Sequence, residues 1–230
     1  SNLLIGLFLG LTTGASVIIS LYYGSNDREA LKRSVGCSYF LGLISGLLIT
    51  AFGYFTTPFF LRIMDTPPEI LQDATTYMRV FFLGTVPILI YNMGASILRA
   101  TGDSKRPFNF LCVSALVNII LDLILVGYLQ MSVLGAGLAT LASQVTSAIL
   151  VTYSLLKTDS SYKLRKSEIK LHKHEAKRIF EVGIPTGVQT ALLSLTNVIF
   201  QAKINSFGPD AIAGVAAEGR ICLLYTSDAA

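Results

Sequence analysis

Long apolar runs recur along this chain at regular intervals, and each is about 20 residues long. An α-helix rises about 1.5 Å per residue, so a run of this length crosses the roughly 30 Å of hydrocarbon in a bilayer. The composition agrees, since 52% of the 230 residues are hydrophobic and only 14% are charged. The chain is therefore predicted to be an all-α membrane protein, a polytopic helical bundle.

The apolar runs place the membrane spans. They cover about residues 3–22, 34–56, 75–99, 107–129, 133–156 and 179–206, with an incomplete seventh span from about residue 211. The first residues carry no positively charged segment and no cleavage-type site, so they do not read as a signal peptide. The chain is expected to begin inside a helix.

Positive charge alternates between the connections. Residues 24–33 and 99–107 are short and basic, and residues 157–178 carry eight Lys or Arg, whereas 128–132 and 207–210 carry none. The positive-inside rule makes the basic connections cytoplasmic. The predicted protein is multi-pass in a bacterial plasma membrane whose anionic inner leaflet attracts these cations, and their topological role leaves no reason to infer nucleic-acid binding.

The basic linker after the fifth span also contains apolar residues, among them Leu164, Ile169 and Leu171. It is expected to be solvated, with an interfacial helix on the inner leaflet. His172 and His174 lack the further ligands that a metal site needs. Cys37, Cys112 and Cys222 have no metal-like spacing, so neither zinc nor a disulfide nor any other cofactor is expected.

Several single residues carry local predictions. Pro68 is placed near a helix start after an outer turn, and Pro87 should kink the third span. Arg79 is expected to extend its side chain to the interface. Gly102, in the string ILRATGDSKRPF, is expected at a positive-φ position of a tight turn, with Arg99 anchoring to headgroups or to an acidic neighbour.

A carboxylate lies within the fourth span, in the run SALVNIILDLILV from residues 114 to 126. An Asp at the centre of a membrane helix costs about 2.5 to 3.5 kcal/mol on insertion scales, so it normally has a partner or a function. On a helix, Ser114, Asn118 and Asp122 follow one another at intervals of four residues and share one face. That face is predicted to hold something polar.

Five strings in order resemble the multidrug and toxic compound extrusion (MATE) family of cation-coupled antiporters. They are GLTTGASVIISLYYGSNDREALKRSVG, ILRATGDSKRPF, NIILDLIL, GAGLATLASQ and VGIPTGVQTALLSLTNV, and the resemblance runs from about Asn2 to Arg220. The Leu-Arg-x-x-Gly-Asp-x-x-x-Pro string and the Asn-x-x-x-Asp pair are the most specific parts. A glycine-rich helix alone would be weak evidence, because packed membrane helices commonly contain small residues.

The resemblance implies about half of a twelve-helix, two-lobe MATE-type transporter. Residues 1–157 would form the amino-terminal lobe without its first helix, 158–178 the cytoplasmic interlobe linker, and 179–230 the start of the carboxy-terminal lobe. After AAEGRI the chain departs from the apolar eighth helix of the family, so the sequence after 221 is expected to be non-native or truncated.

The family resemblance also implies a cation site. In one branch of the family, an Asn and an Asp on the fifth helix and a Thr on the sixth join an Asp of the first helix, and Asn118, Asp122 and Thr140 match the first three. Their oxygens suit Na⁺, and the carboxylate could instead carry H⁺. The alternative is that Asn118 and Asp122 only form hydrogen bonds to neighbouring helices.

The seventh family helix would offer Gln189, Asn197 and Gln201 as a polar stripe along the substrate pathway. Interhelical packing along a water-lined wall is an equal alternative for these three residues. Another branch of the family has a Glu where Leu193 stands here. The departure makes coupling through the seventh helix doubtful and favours coupling through the first lobe.

These observations favour a secondary antiporter, present here as a fragment, that exports small amphipathic organic cations and needs no obligate protein partner. A flippase for lipid-linked substrates is the alternative within transport, and it would want a wide cationic cavity. A membrane-embedded enzyme would need clustered reactive groups, whereas the interiors of the six complete predicted spans offer one carboxylate, Asp122, and no His. A channel would want a charged ring.

Overall fold

The structure, a computed structural model, describes residues 2–63 and 68–206. The described helices are α1 (Asn2–Gly24), α2 (Arg28–Ile63), α3 (Pro68–Leu83), α4 (Thr85–Ala100), α5 (Lys105–Asp122), α6 (Ser132–Lys157) and α7 (Lys173–Ser206). A π-helical turn, Leu123–Tyr128, continues α5, and a 3₁₀ turn, Lys166–Glu168, lies between α6 and α7. The predicted all-helical architecture is confirmed.

Four stretches of the described residues are long and apolar enough to cross a membrane. They are Arg28–Phe59, Ala74–Ala100, Lys105–Tyr128 and Leu134–Lys157. These stretches coincide with the second to fifth predicted spans. The first and sixth predicted spans are helices α1 and α7, which fall outside these four, and the incomplete seventh span lies outside the described residues.

The outer connection between α2 and α3 is shorter than predicted, because α2 continues through Pro58 as far as Ile63. The hydroxyls of Thr56 and Thr57 donate to the carbonyls of Phe52 and Gly53 at 2.7 and 2.5 Å. Such side-chain bonds help a membrane helix to satisfy its backbone near a proline. The helix start predicted at Pro68 is confirmed, since α3 begins there.

The third predicted span consists of two helices that meet at Gly84, three residues before Pro87. Pro87 has no N–H to donate to the carbonyl of Leu83, so the hydrogen-bond ladder is interrupted at that point. The Gly84 N–H lies 3.1 Å from the carbonyl of Phe81 and 3.2 Å from that of Val80. The kink expected from Pro87 is therefore expressed as a break at Gly84.

The most deeply buried side chains lie at one end of the bundle. We call this the basic end, because the basic segments 24–33, 99–107 and 157–178 lie there. Fully buried large side chains in the described residues include Ile19, Leu31, Ile97, Leu98, Leu155 and Ile179. Each lies near the basic end of its helix. The opposite ends of α2 and α5 expose large apolar side chains, including Phe55 and Leu123.

The basic linker packs on protein, which corrects the interfacial helix predicted for it. Leu164 is only 2% exposed, and its N–H donates to the carbonyl of Leu155 at 2.9 Å. The carbonyl of Glu168 lies against Gly36 of α2, where a Cβ atom would have no room. The apolar residues of the linker therefore cover the ends of α2 and α6, and Leu171 remains exposed.

The predictions for the Gly102 turn and for Arg79 have mixed outcomes. Gly102 has φ +88°, so the positive-φ turn is confirmed. Asp103 of that turn pairs with Arg106 at 3.1 Å, rather than with Arg99. The guanidinium of Arg79 lies 4.8 Å from the centre of the Tyr54 ring, and its Nε is buried without a hydrogen-bond partner. Arg79 thus packs against an aromatic side chain, and its extension to the interface stays a prediction.

The two described cysteines differ in exposure. Cys37 is buried and Cys112 is exposed, both as free thiols, whereas Cys222 lies outside the described residues. His172 Nε2 lies 3.0 Å from a carboxylate oxygen of Glu168. Among the described residues no three His, Cys, Asp or Glu side chains gather as a metal site would require.

Candidate cation site and transport pathway

The polar face predicted on α5 begins with a contact to α6. Ser114 is buried, and its hydroxyl donates to the backbone carbonyl of Ser143 at 2.6 Å. The hydroxyl of Ser143 in turn donates to the carbonyl of Thr140 at 2.8 Å. The first position of the α5 face therefore fastens α5 to α6 and is not free to bind a ligand.

Asp122 is the last residue of α5 and is partly buried. Its Oδ1 atom is buried without a hydrogen-bond partner. An unsatisfied buried acceptor costs about 1–3 kcal/mol, and more when it is charged. Asn118, one turn earlier on the same face, is also partly buried. The face thus places an amide and an incompletely satisfied carboxylate one above the other.

The helix changes geometry immediately after Asp122. Residues Leu123–Tyr128 form a π-helical turn, in which the Leu129 N–H donates to the carbonyl of Ile124 at 2.9 Å. Long π-helical stretches are rare, and short ones often occur at functional sites. A Cβ added to Gly135 of α6 would lie 3.2 Å from the backbone of Leu125, so α6 passes very close to this turn.

Thr140 lies on the neighbouring helix α6, but its side chain is exposed. In the part of the chain that the structure describes, no hydrogen bond joins Thr140 to Asn118 or Asp122. The structure therefore puts Asn118 and Asp122 on one face and leaves Thr140 separate. The three-residue cation site stays a prediction.

Gln144 is a candidate that the sequence reasoning missed. It follows Thr140 by one turn of α6, and its Oε1 is buried without a hydrogen-bond partner. That oxygen lies against Gly84, at the break between α3 and α4, where a Cβ would not fit. The sequence does contain a signal for this residue: Gln144 is a single amide in an apolar span, four residues after Thr140.

An open groove of about 520 Å³ runs along α7. Its lining residues are Ile184, Pro185, Val188, Gln189, Leu192, Leu193 and Thr196. Of the predicted polar stripe, Gln189 lies in this groove. Asn197 and Gln201 lie on α7, but their side chains are outside the described part of the structure. The groove is almost wholly apolar, with one amide and one hydroxyl in its wall.

Oxygen atoms are the ligands that hard cations prefer, and Asp122 and Asn118 supply a carboxylate and an amide oxygen. The same carboxylate could instead take up a proton, which would remove the charge that the surrounding apolar helices disfavour. The α5 face therefore carries the oxygen ligands that the predicted cation site requires. The apolar groove of α7 is chemically different and suits a larger amphipathic molecule.

Comparisons with known proteins agree on one family. The MatE family model matches residues 1–124. The probable multidrug resistance protein YoeA of Bacillus subtilis is 28% identical over 218 residues, which are 92% of this chain and 47% of that protein. The chain thus spans about half the length of the curated relatives it matches.

Two solved structures bear on the arrangement of the helices. An outward-facing MATE family multidrug resistance transporter aligns with a TM-score of 0.81 and 29% identity, over 96% of this chain and 50% of that one. An inward-facing one aligns with a TM-score of 0.75 and 29% identity, over 84% of this chain and 44% of that one. The outward-facing form is therefore the better match of the two.

These matches confirm the family resemblance and the prediction of a multi-pass membrane protein. They also confirm that the chain is no enzyme, because the family consists of transporters. From its helical fold, its apolar spans and a family model that covers residues 1–124 of 230, the chain belongs to the MATE family of membrane transporters.

Proposed function

We propose that these helices belong to a cation-coupled antiporter that exports small, drug-like organic cations by alternating access. Residues 1–157 belong to the amino-terminal lobe, 158–178 link the lobes, and α7 begins the carboxy-terminal lobe. The B. subtilis relative is named a probable multidrug resistance protein, which supports multidrug transport. The coupling ion is Na⁺ or H⁺.

The observation that carries this proposal is the buried Oδ1 of Asp122, which has no hydrogen-bond partner. A carboxylate in an apolar bundle is stabilised when it binds a cation or a proton, so ion binding and the energy of this site are directly linked. Asn118 on the same face supplies a second oxygen. Release of the ion would leave the buried carboxylate of Asp122 without a partner again, and this unfavourable state would drive a change of conformation.

The groove on α7 supports largely apolar, drug-like molecules as the exported class. Its wall is apolar apart from Gln189 and Thr196, which matches molecules with a large apolar surface and few polar groups. A flippase for a lipid-linked anionic headgroup would want cationic side chains there, and the lining contains none. We therefore place substrate contact, including that of Asn197 and Gln201, along this helix.

The test is gradient-driven efflux of a fluorescent organic cation by the full-length protein in liposomes. Asp122→Asn keeps the size of the side chain but cannot carry the negative charge. It should insert and fold, yet lose the acceleration of efflux by a Na⁺ or pH gradient. Asp159→Asn is the matched control, because Asp159 is fully exposed in the linker, 3.6 Å from Lys163.

Coupling should therefore survive in Asp159→Asn and disappear in Asp122→Asn. Running the assay with each gradient separately identifies the coupling ion. If Asp122→Asn exports the dye as fast as the unmodified protein under both gradients, Asp122 is not the coupling group. Dye efflux that no gradient accelerates in the unmodified protein would contradict the antiporter itself.

A further inference from the structure

Helices α1 and α7 form the most extensive helix pair of the described residues. Their closest approach is lined by glycines: Gly10 and Gly14 of α1 face Gly183 and Gly187 of α7. A Cβ added to Gly14 would lie 2.5 Å from the carbonyl oxygen of Ile179 and 2.8 Å from the N atom of Gly183. Both are backbone atoms that cannot move aside, so the two helices are in direct backbone contact.

Just beyond these glycines, at the basic end, a polar cluster joins α1 and α2 to α7. Glu175 is only 4% exposed, and its Oε2 accepts hydrogen bonds from the Tyr22 hydroxyl at 3.0 Å and the Ser34 hydroxyl at 3.1 Å. Arg178 Nη1 donates to the Tyr22 oxygen at 2.5 Å. We call Tyr22, Ser34, Glu175 and Arg178 the latch.

The hydrogen bonds of the latch fix the relative orientation of its side chains. Tyr22 both donates to Glu175 and accepts from Arg178, whose guanidinium carbon lies 5.5 Å from the centre of the Tyr22 ring. Hydrogen bonds to charged groups contribute more than neutral ones, and a buried charge that loses its partners is costly. The latch therefore favours one relative position of α7 on α1 and α2.

That position closes the basic end. The fully buried side chains Ile19, Leu31 and Ile179 belong to the same packed cluster as Tyr22. At the other ends of α2 and α5 large apolar side chains are exposed.

We propose that Glu175 is a positioning residue that holds the cytoplasmic side of the transport pathway closed through Tyr22 and Ser34. Since α1 and α7 belong to different lobes in the proposed antiporter, the inward-facing form requires the latch to break and the glycine contact to separate. This inference rests on the proposed alternating access. It assigns a role to residues that do not touch the cation or the substrate.

A native cysteine reports on the latch. Cys37 lies one turn after Ser34 on α2, is fully buried, and its Sγ lies 3.7 Å from the carbonyl of His172 at the start of α7. When α7 leaves α2, Cys37 becomes accessible. In the full-length protein with Cys37 as its one cysteine, the rate of modification by N-ethylmaleimide therefore measures opening at the basic end.

Glu175→Gln and Tyr22→Phe should each raise the labelling rate of Cys37 by about tenfold, because Gln removes the charge that strengthens these hydrogen bonds and Phe removes the hydroxyl that forms them. Tyr39→Phe is the matched control. Tyr39 is as buried as Tyr22, and its hydroxyl lies 2.6 Å from that of Thr152, but this contact joins α2 to α6 and leaves α7 untouched. Its removal should leave the rate unchanged.

The proposal is overturned if Glu175→Gln and Tyr22→Phe label at the unmodified rate, or if Tyr39→Phe accelerates labelling equally, which would indicate general loosening. Thermal unfolding in detergent, measured in parallel, shows that each variant is folded. The labelling assay needs no ion, substrate or gradient. If the latch proposal fails, the labelling rate of Cys37 is unchanged in the variants while gradient-driven efflux remains intact. If the proposed function fails, efflux is not coupled to a gradient while the variants still raise the labelling rate.

Discussion

The hydroxyl of Ser114 donates a 2.6 Å hydrogen bond to the carbonyl of Ser143, while Asp122, two turns further along the same face of α5, keeps a buried oxygen without a partner. One helical face thus has two roles. Its first position joins two helices, and its last position keeps an unsatisfied oxygen, which belongs to the proposed coupling group.

Ser114→Ala should lower the stability of the protein without changing its ion coupling. Hydrogen bonds between membrane helices contribute about 0.6 kcal/mol on average, so a small decrease in the thermal midpoint in detergent is expected. Ser147→Ala is the control, because buried Ser147 bonds only to the carbonyl of Gln144 within α6. An altered dependence of efflux on the ion gradient in Ser114→Ala would contradict this division of roles.

Gly14→Ala should separate α1 from α7, because the added methyl group would collide with the backbone at Ile179 and Gly183. Overpacking of this kind costs about 1–3 kcal/mol. Faster labelling of Cys37 and a lower thermal midpoint are expected. The matched variant Gly24→Ala lies on the same helix with no atom within 4 Å of the new Cβ, and it should behave as the unmodified protein. Equal effects of the two variants would exclude the glycine contact as the cause.

Leu164→Ala should destabilise the protein by about 2–5 kcal/mol, the usual cost of truncating a fully buried leucine. Leu164 is 2% exposed under the linker, whereas Leu171, in the same basic segment, is 51% exposed. Leu171→Ala should therefore have little effect on thermal unfolding in detergent. A linker that only rests on the lipid surface would make the two variants equivalent.

Some local features were evident from residue type alone. Gly102 at a positive φ and Pro68 at a helix start follow from backbone sterics, which act within a few residues. Pro87 also gave the correct region of the third span for a break. The break lies at Gly84 because Pro87 cannot donate a hydrogen bond to the carbonyl of Leu83. The side chain of Gln144 packs closely against Gly84.

The candidate site was predictable only in part. Asn118 and Asp122 share a face because they are four residues apart on a helix, and that spacing needs no tertiary information. Whether Thr140 joins them depends on the rotation of α6, and in the structure its side chain is exposed. Gln144 was missed for the same reason, since its burial depends on the packing of α3 and α4 against α6.

By itself the sequence determined the membrane helices, because each helix satisfies its own backbone hydrogen bonds in lipid, and it predicts their orientation from the flanking charges. Only the tertiary structure decided that Leu164 is buried and Leu171 exposed, although both stand among cations. It alone revealed Glu175 as a buried partner of Tyr22 and Ser34, more than 140 residues away in the chain. Burial depends on which helix packs opposite, and that is a property of the assembled bundle.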